Sequence, residues 1–153
     1  MIRWRRGQKG FTLAELVMVV ALIAVLSAMA MPVAKFTVKR HKEADLRLAL
    51  RQIRTAIDDY KRLSDQGMIP VKIGGEGYPE DLEELVEGVE IVGGETKRRF
   101  LRRIPVDPMT RDDWVLRSYQ DDPDATSWGG ENIYDVRTSS EGVAIDGTKY
   151  ADW

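Results

Sequence analysis

The sequence predicts an α+β chain: one long N-terminal α-helix packed by a small antiparallel β-sheet head. Three observations carry that expectation. Leu16 to Ala34 is a run of 19 residues without a charge, long enough to cross a bilayer as a helix. Leu46, Leu50, Ile53, Ile57 and Tyr60 then recur at spacings of four, three, four and three, the apolar stripe of an amphipathic helix. Short β-rich runs follow at Trp114 to Tyr119, Ile133 to Val136 and Val143 to Ile145. Turn-rich segments at Asp121 to Gly130 and Thr138 to Gly142 separate them, as in a small antiparallel sheet.

The chain begins with a basic leader, residues 1–10, carrying Arg3, Arg5, Arg6 and Lys9 and no acid. Such a segment favours the cytoplasmic side of a membrane. Lys35, Lys39, Arg40 and Lys42 beyond the apolar run balance it in a plain count. The transmembrane segment spans 11–34. Glu15 stands at its start, where a carboxylate is costly: about 2.5–3.5 kcal/mol at the centre of a membrane helix and less towards the ends. An acid kept there marks a functional site and needs a partner. Pro32 removes one backbone hydrogen bond and collides with the carbonyl of Ala28, so a kink or local melting is expected.

An amphipathic spine helix occupies 35–66. Ala49, Ala56 and Leu63 widen its stripe, Arg47, Arg51, Arg54, Asp58, Asp59 and Lys61 fill its other side, and Gly67 stops it. From Phe11 to about Ser64 the helix would extend roughly 80 Å. The head occupies 67–153. Gly74-Gly75-Glu76-Gly77 is a turn and not a phosphate loop, since no strand precedes it and no Lys-Ser/Thr follows. Tyr78 to Val86 reads as a short helix with Pro79 in its first turn, acids near its N-terminus, and Leu82, Leu85 and Val86 facing inward. A mobile loop is expected around Gly93-Gly94. Phe100 to Pro108 is rigid, because Pro105 and Pro108 restrict themselves and the residues before them.

Composition narrows the function. The 153 residues include no cysteine and one histidine, so no disulfide framework, no thiolate metal site and no serine triad are expected; His41 lies beside the membrane-proximal helix, away from any pocket. Without the four basic residues of the leader, 19 basic side chains face 25 acidic ones and the net charge is near −6, which argues against a nucleic-acid binder. No nucleophile–base set or cofactor loop marks an enzyme, and a membrane-anchored enzyme or binding domain has no visible site. Asp121-Asp122 and Asp124 beside Trp128 raise a carbohydrate or metal site, but a turn-rich loop explains them better. A rival reading makes the first 30 residues a secretory signal peptide cut after Ala28-Met29-Ala30, leaving a soluble chain from Met31. Glu15 within the apolar run and the helical pattern continuing past the cut oppose it.

Lys9-Gly10-Phe11-Thr12-Leu13-Ala14-Glu15-Leu16, placed between a basic leader and an apolar helix, resembles the type IV pilin and pseudopilin superfamily. The resemblance implies a pilin-like fold. It also implies that a membrane prepilin peptidase cuts the leader between Gly10 and Phe11 and methylates the new N-terminus on Phe11. Glu15 would then meet the N-terminal amine of a neighbouring subunit, or that of its own Phe11, and set the register of a filament in which residues 11–34 form the assembly helix. Pilin-like proteins also carry a proline corresponding to Pro32, where the helix unwinds on assembly. Further on, Tyr78-Pro79, Leu-x-x-Ile-Pro-x-Asp-Pro at Leu101 to Pro108, Ile133-Tyr134-Asp135-Val136 and Asp146-Gly147-Thr148-x-Tyr150-x-x-Trp153 look like the major pseudopilin of type II secretion.

On that resemblance the chain is a structural subunit, not an enzyme, held in the bacterial inner membrane by one pass with a periplasmic head. Its partners would be further copies of itself, the prepilin peptidase, minor pseudopilins and the inner-membrane secretion platform. A type IV pilus or competence filament is the alternative. Many major pseudopilins bind one calcium ion in the C-terminal loop. Here that loop offers Glu141 and Asp146, with Asp135 and Asp152 farther off, and Asp146-Gly147 reads equally as a hairpin turn. The turn is the preferred reading, and no cofactor is required.

Overall fold

A computed structural model describes residues 10–72, 74–94, 96–122, 125 and 127–153, with the side chains of 29–32 excepted. The basic residues of the leader and Asp124 therefore lie outside the described residues. Two compact units divide the chain, residues 1–39 and 40–153.

The first element, α1, runs Leu13–Asp65 over 53 residues. It begins two residues later than the sequence suggests, because Thr12 caps it: the amide of Glu15 donates to Thr12 Oγ1 at 3.2 Å, and the amide of Leu16 to the Thr12 carbonyl at 3.1 Å. A side-chain acceptor here satisfies one of the helix's unpaired N-terminal donors. The helix continues through Pro32 without interruption, so the local melting expected there is absent from the subunit. Its end comes at Gly67, whose φ of +71° favours glycine.

Within the second unit, Leu46, Ala49, Leu50, Ile53, Ala56, Ile57 and Tyr60 are all buried, as the stripe predicts. Ile69, Leu82, Leu85, Trp114, Ile133, Val136, Ala144 and Tyr150 close over them to complete the core. Each fully buried aliphatic side chain contributes about 1.5–3 kcal/mol, which makes the stripe the main source of the head's stability.

The second helix, α2 (Leu82–Glu87), is shorter than the sequence suggests. Asp81 is its N-cap and accepts from the amide of Glu84 at 2.9 Å. Pro79 thus falls before the cap rather than in the first turn; it is fully buried, and its carbonyl accepts from the amide of Ile133 at 2.7 Å.

Two small antiparallel sheets follow, where a single sheet is expected from the sequence. Strands β1 (Val89–Glu90) and β2 (Lys97–Arg98) pair Val89 with Arg98 and Glu90 with Lys97. The Gly93-Gly94 segment therefore links two short paired strands. Gly88 makes this possible: at φ +85° a Cβ would sit 2.7 Å from the carbonyl oxygen of Arg98. Strands β3 (Val115–Arg117) and β4 (Asp135–Arg137) pair Leu116 with Val136. The third β-rich run does not join them. Val143 instead forms an isolated bridge to Lys149, closing a turn at Asp146-Gly147, and a short 3₁₀ helix spans Tyr150–Asp152.

Two buried polar residues anchor the loops. Asp107 is fully buried and accepts from the Met109 amide at 2.7 Å, from Thr110 Oγ1 at 3.3 Å and from Thr138 Oγ1. Asn132, also fully buried, accepts from the Tyr119 amide at 3.0 Å and donates to Gln120 Oε1 at 2.9 Å. Buried polar groups persist where such partners offset their lost hydration.

Candidate processing and assembly site

Gly10, Phe11 and Thr12 precede the helix and are exposed. The Gly10–Phe11 peptide bond thus lies in non-helical backbone directly before α1, where a peptidase can reach it. Phe11 is 79% exposed. A Cβ built on Gly10 meets nothing within 4 Å. Among the described residues nothing in the fold requires glycine there.

Glu15 occupies the third position of α1, three residues after its cap. Thr12-x-x-Glu15 is the spacing of a capping box, in which an acid at the third position also complements the positive end of the helix dipole. That local role is legible in the sequence as a Thr three residues before a Glu at the head of an apolar run. Around Glu15 the surface is apolar: Leu13, Leu16, Val17, Met18, Val19 and Val20 are all exposed. Gly10, Phe11 and Glu15 thus lie within six consecutive residues, two before the Thr12 cap and one in the first turn of α1, whereas Pro32 is a separate position farther along the same helix.

Residues 5–31 match the family model described as the prokaryotic N-terminal methylation motif. The chain carries the N-terminus typical of prepilin-like proteins. No curated protein and no solved structure matches the chain. Among the described residues one helix, Leu13–Asp65, is long and apolar enough to cross a membrane. With the motif, it supports a membrane-anchored, prepilin-like N-terminal segment of the kind a prepilin peptidase processes.

The C-terminal carboxylates are arranged differently from a calcium site. Asp146 Oδ1 accepts from the Thr148 amide at 3.0 Å and from Thr148 Oγ1 at 2.6 Å, while Oδ2 meets Arg47 Nη2 at 3.1 Å. The hydrogen bonds from Thr148, aided by the Arg47 charge, hold the Asp146 carboxyl below its usual range. Asp135 is tied to Arg54 at 2.7 Å, with Arg117 at 3.9 Å. Among the described residues no group of three or more His, Asp or Glu side chains is placed to hold a metal. Calcium needs about six to eight oxygens, and these residues do not fit it. Asp121 likewise serves its own loop, accepting from the amides of Ser118 at 2.7 Å and Gly129 at 3.2 Å, while Trp128 Nε1 donates to the Asn132 carbonyl at 3.0 Å.

Proposed function

We propose that this chain is the structural subunit of a type II secretion pseudopilus, cut between Gly10 and Phe11 and polymerised into a helical filament that drives protein export. The observation that carries the reading is the junction at residues 10–15: an exposed, non-helical bond, then a capped helix with one acid at the head of an exposed apolar surface. That surface is satisfied either by lipid tails or by the same helix in other copies. Glu15 gains most when a cation enters the low-dielectric layer around it, because attraction grows and the penalty of an unpaired charge is relieved. The amine freed at Phe11 of a neighbour supplies such a cation.

The motifs at Leu101 to Pro108 and Asp146 to Trp153, with the absence of cysteine, support a major pseudopilin over a pilus or competence subunit. Minor pseudopilins and an inner-membrane platform are the expected partners, with the head on the periplasmic side. The role is structural, with no catalysis and no cofactor. A long surface fibre under native expression would favour the pilus reading instead.

The test is co-expression of the full chain with a prepilin peptidase, followed by mass spectrometry of the N-terminus and imaging of filaments. The mature chain should begin at N-methylated Phe11, and Gly10→Asp should remain uncleaved while its head unfolds like the wild type. Three variants separate the roles of Glu15. Glu15→Gln keeps a polar side chain of the same size but loses the charge, Glu15→Ala loses both, and Thr12→Ala weakens the cap alone. All should be cleaved; the two Glu15 variants should fail to assemble and Thr12→Ala should form filaments. Normal filaments from Glu15→Gln would remove the charge from the mechanism.

A further inference from the structure

We infer that Glu43, Arg47 and Arg54 form a metal-independent latch that fastens the C-terminal segment Val143 to Trp153 onto α1. At 100° per residue the three side chains fall within about 40° of one another, along one edge of the apolar stripe. Each grips a different part of the segment. Glu43 Oε1 accepts from the Ile145 amide at 2.9 Å and from Tyr150 Oη at 2.9 Å. Arg47 pairs with Asp146 at 3.1 Å, and its guanidinium lies 4.1 Å from the centre of the Trp153 ring. Arg54 donates to the main-chain oxygen of Trp153 at 2.7 Å and to that of Val136 at 3.1 Å, which joins the segment to β4.

The segment has few apolar anchors of its own: Ala144 and Tyr150 are buried, and Trp153 packs half-buried against the core. Its internal bonds shape it without attaching it. The amide of Ala144 reaches the Thr148 carbonyl at 2.7 Å, Trp153 Nε1 donates to Thr148 Oγ1 at 2.7 Å, and the Tyr150 and Trp153 rings meet edge to face at 5.2 Å. A divalent cation organises a loop by collecting carboxylates. Here a guanidinium already occupies the one carboxylate at the tip of the turn, and a metal ion there would meet a like charge. The helix thus supplies one acceptor and two cations in place of an ion. This latch is a property of the folded subunit and holds whether or not the subunit builds a secretion filament.

The test uses the full chain in detergent micelles, with hydrogen exchange and thermal unfolding read in about 1 mM calcium and in chelator. For the wild type, the midpoint in the two conditions should agree within about 1 °C, as should protection of residues 143–153. Glu43→Ala should speed exchange at the Ile145 amide by about tenfold or more and leave Ile53 protected. Arg47→Met, at a half-exposed position, should expose the segment to proteolysis without unfolding the head. It decides the matter if Glu43→Ala fails to fold. A calcium-induced rise of about 5 °C or more, or calcium restoring protection to either variant, would overturn the latch. So would unchanged exchange and proteolysis of 143–153 in both variants.

Discussion

From Leu16 to Val38 the long helix keeps its valines, leucines and isoleucines exposed, Leu26 by 67% and Val33 by 66%, whereas from Leu46 to Tyr60 the stripe residues are at most 7% exposed. The residue types are similar; their neighbours on the helix are not. In the first stretch apolar residues cover every face, so one small head could not enclose them and burial has to come from outside the subunit. In the second, Arg47, Arg51, Arg54 and Asp58 keep one side wet, and the remaining stripe is narrow enough for the chain's own loops to cover. An apolar side chain therefore stabilises the fold or the assembly according to what shares its helix, not according to its own hydrophobicity.

The sharpest way to break this contrast is to truncate one residue in each region. Ile53→Ala should lower the stability of the head by about 2–5 kcal/mol in urea unfolding followed by tryptophan fluorescence. Val20→Ala should move the same transition by less than about 0.5 kcal/mol. Equal shifts would erase the distinction. A smaller loss is expected away from the stripe, at Asp107→Ala, where the amide of Met109 and the hydroxyls of Thr110 and Thr138 lose their acceptor. Leaving buried donors unpaired costs about 1–3 kcal/mol, so the unfolding midpoint should fall without a change in the denaturant slope.

The smallest effect is a dependence on alkaline pH that belongs to the second region alone. Burial first, and then Glu43, push the Tyr150 hydroxyl up to about 12; burial and Glu84 do the same for Tyr60. The folded head thus favours protonated tyrosines. Their contribution is complete below the ordinary tyrosine value of about 10 and is lost as the pH rises through about 12. Stability should decline over that window. Tyr150→Phe should flatten part of the decline, and an unchanged profile in that variant would assign the effect elsewhere.

Much of the processing junction was legible because its parts are neighbours in the chain. Gly10 and Phe11 take their expected role from the resemblance of one contiguous motif, Glu15 stands out as a carboxylate at the head of an apolar run, and the Thr12 cap is a local pattern. Pro32 shows the limit of local reading. Its cost to a helix is known from its chemistry, yet α1 runs on through it in the subunit. Similarly, Pro79 favours a first turn by its chemistry, yet it lies buried before the Asp81 cap, with its carbonyl accepting from the Ile133 amide.

The sequence by itself determined the long helix and its division into an all-apolar stretch and a striped one, since each depends on residues within a few turns of one another. Only the tertiary structure decided that the sheet divides in two, that Val143 stays outside it, and that Glu43, Arg47 and Arg54 receive the end of the chain. Those pairings join residues about a hundred positions apart. Their closure depends on the shape of the whole head, because no short-range preference tells a charged side chain on a helix which distant loop will return to it.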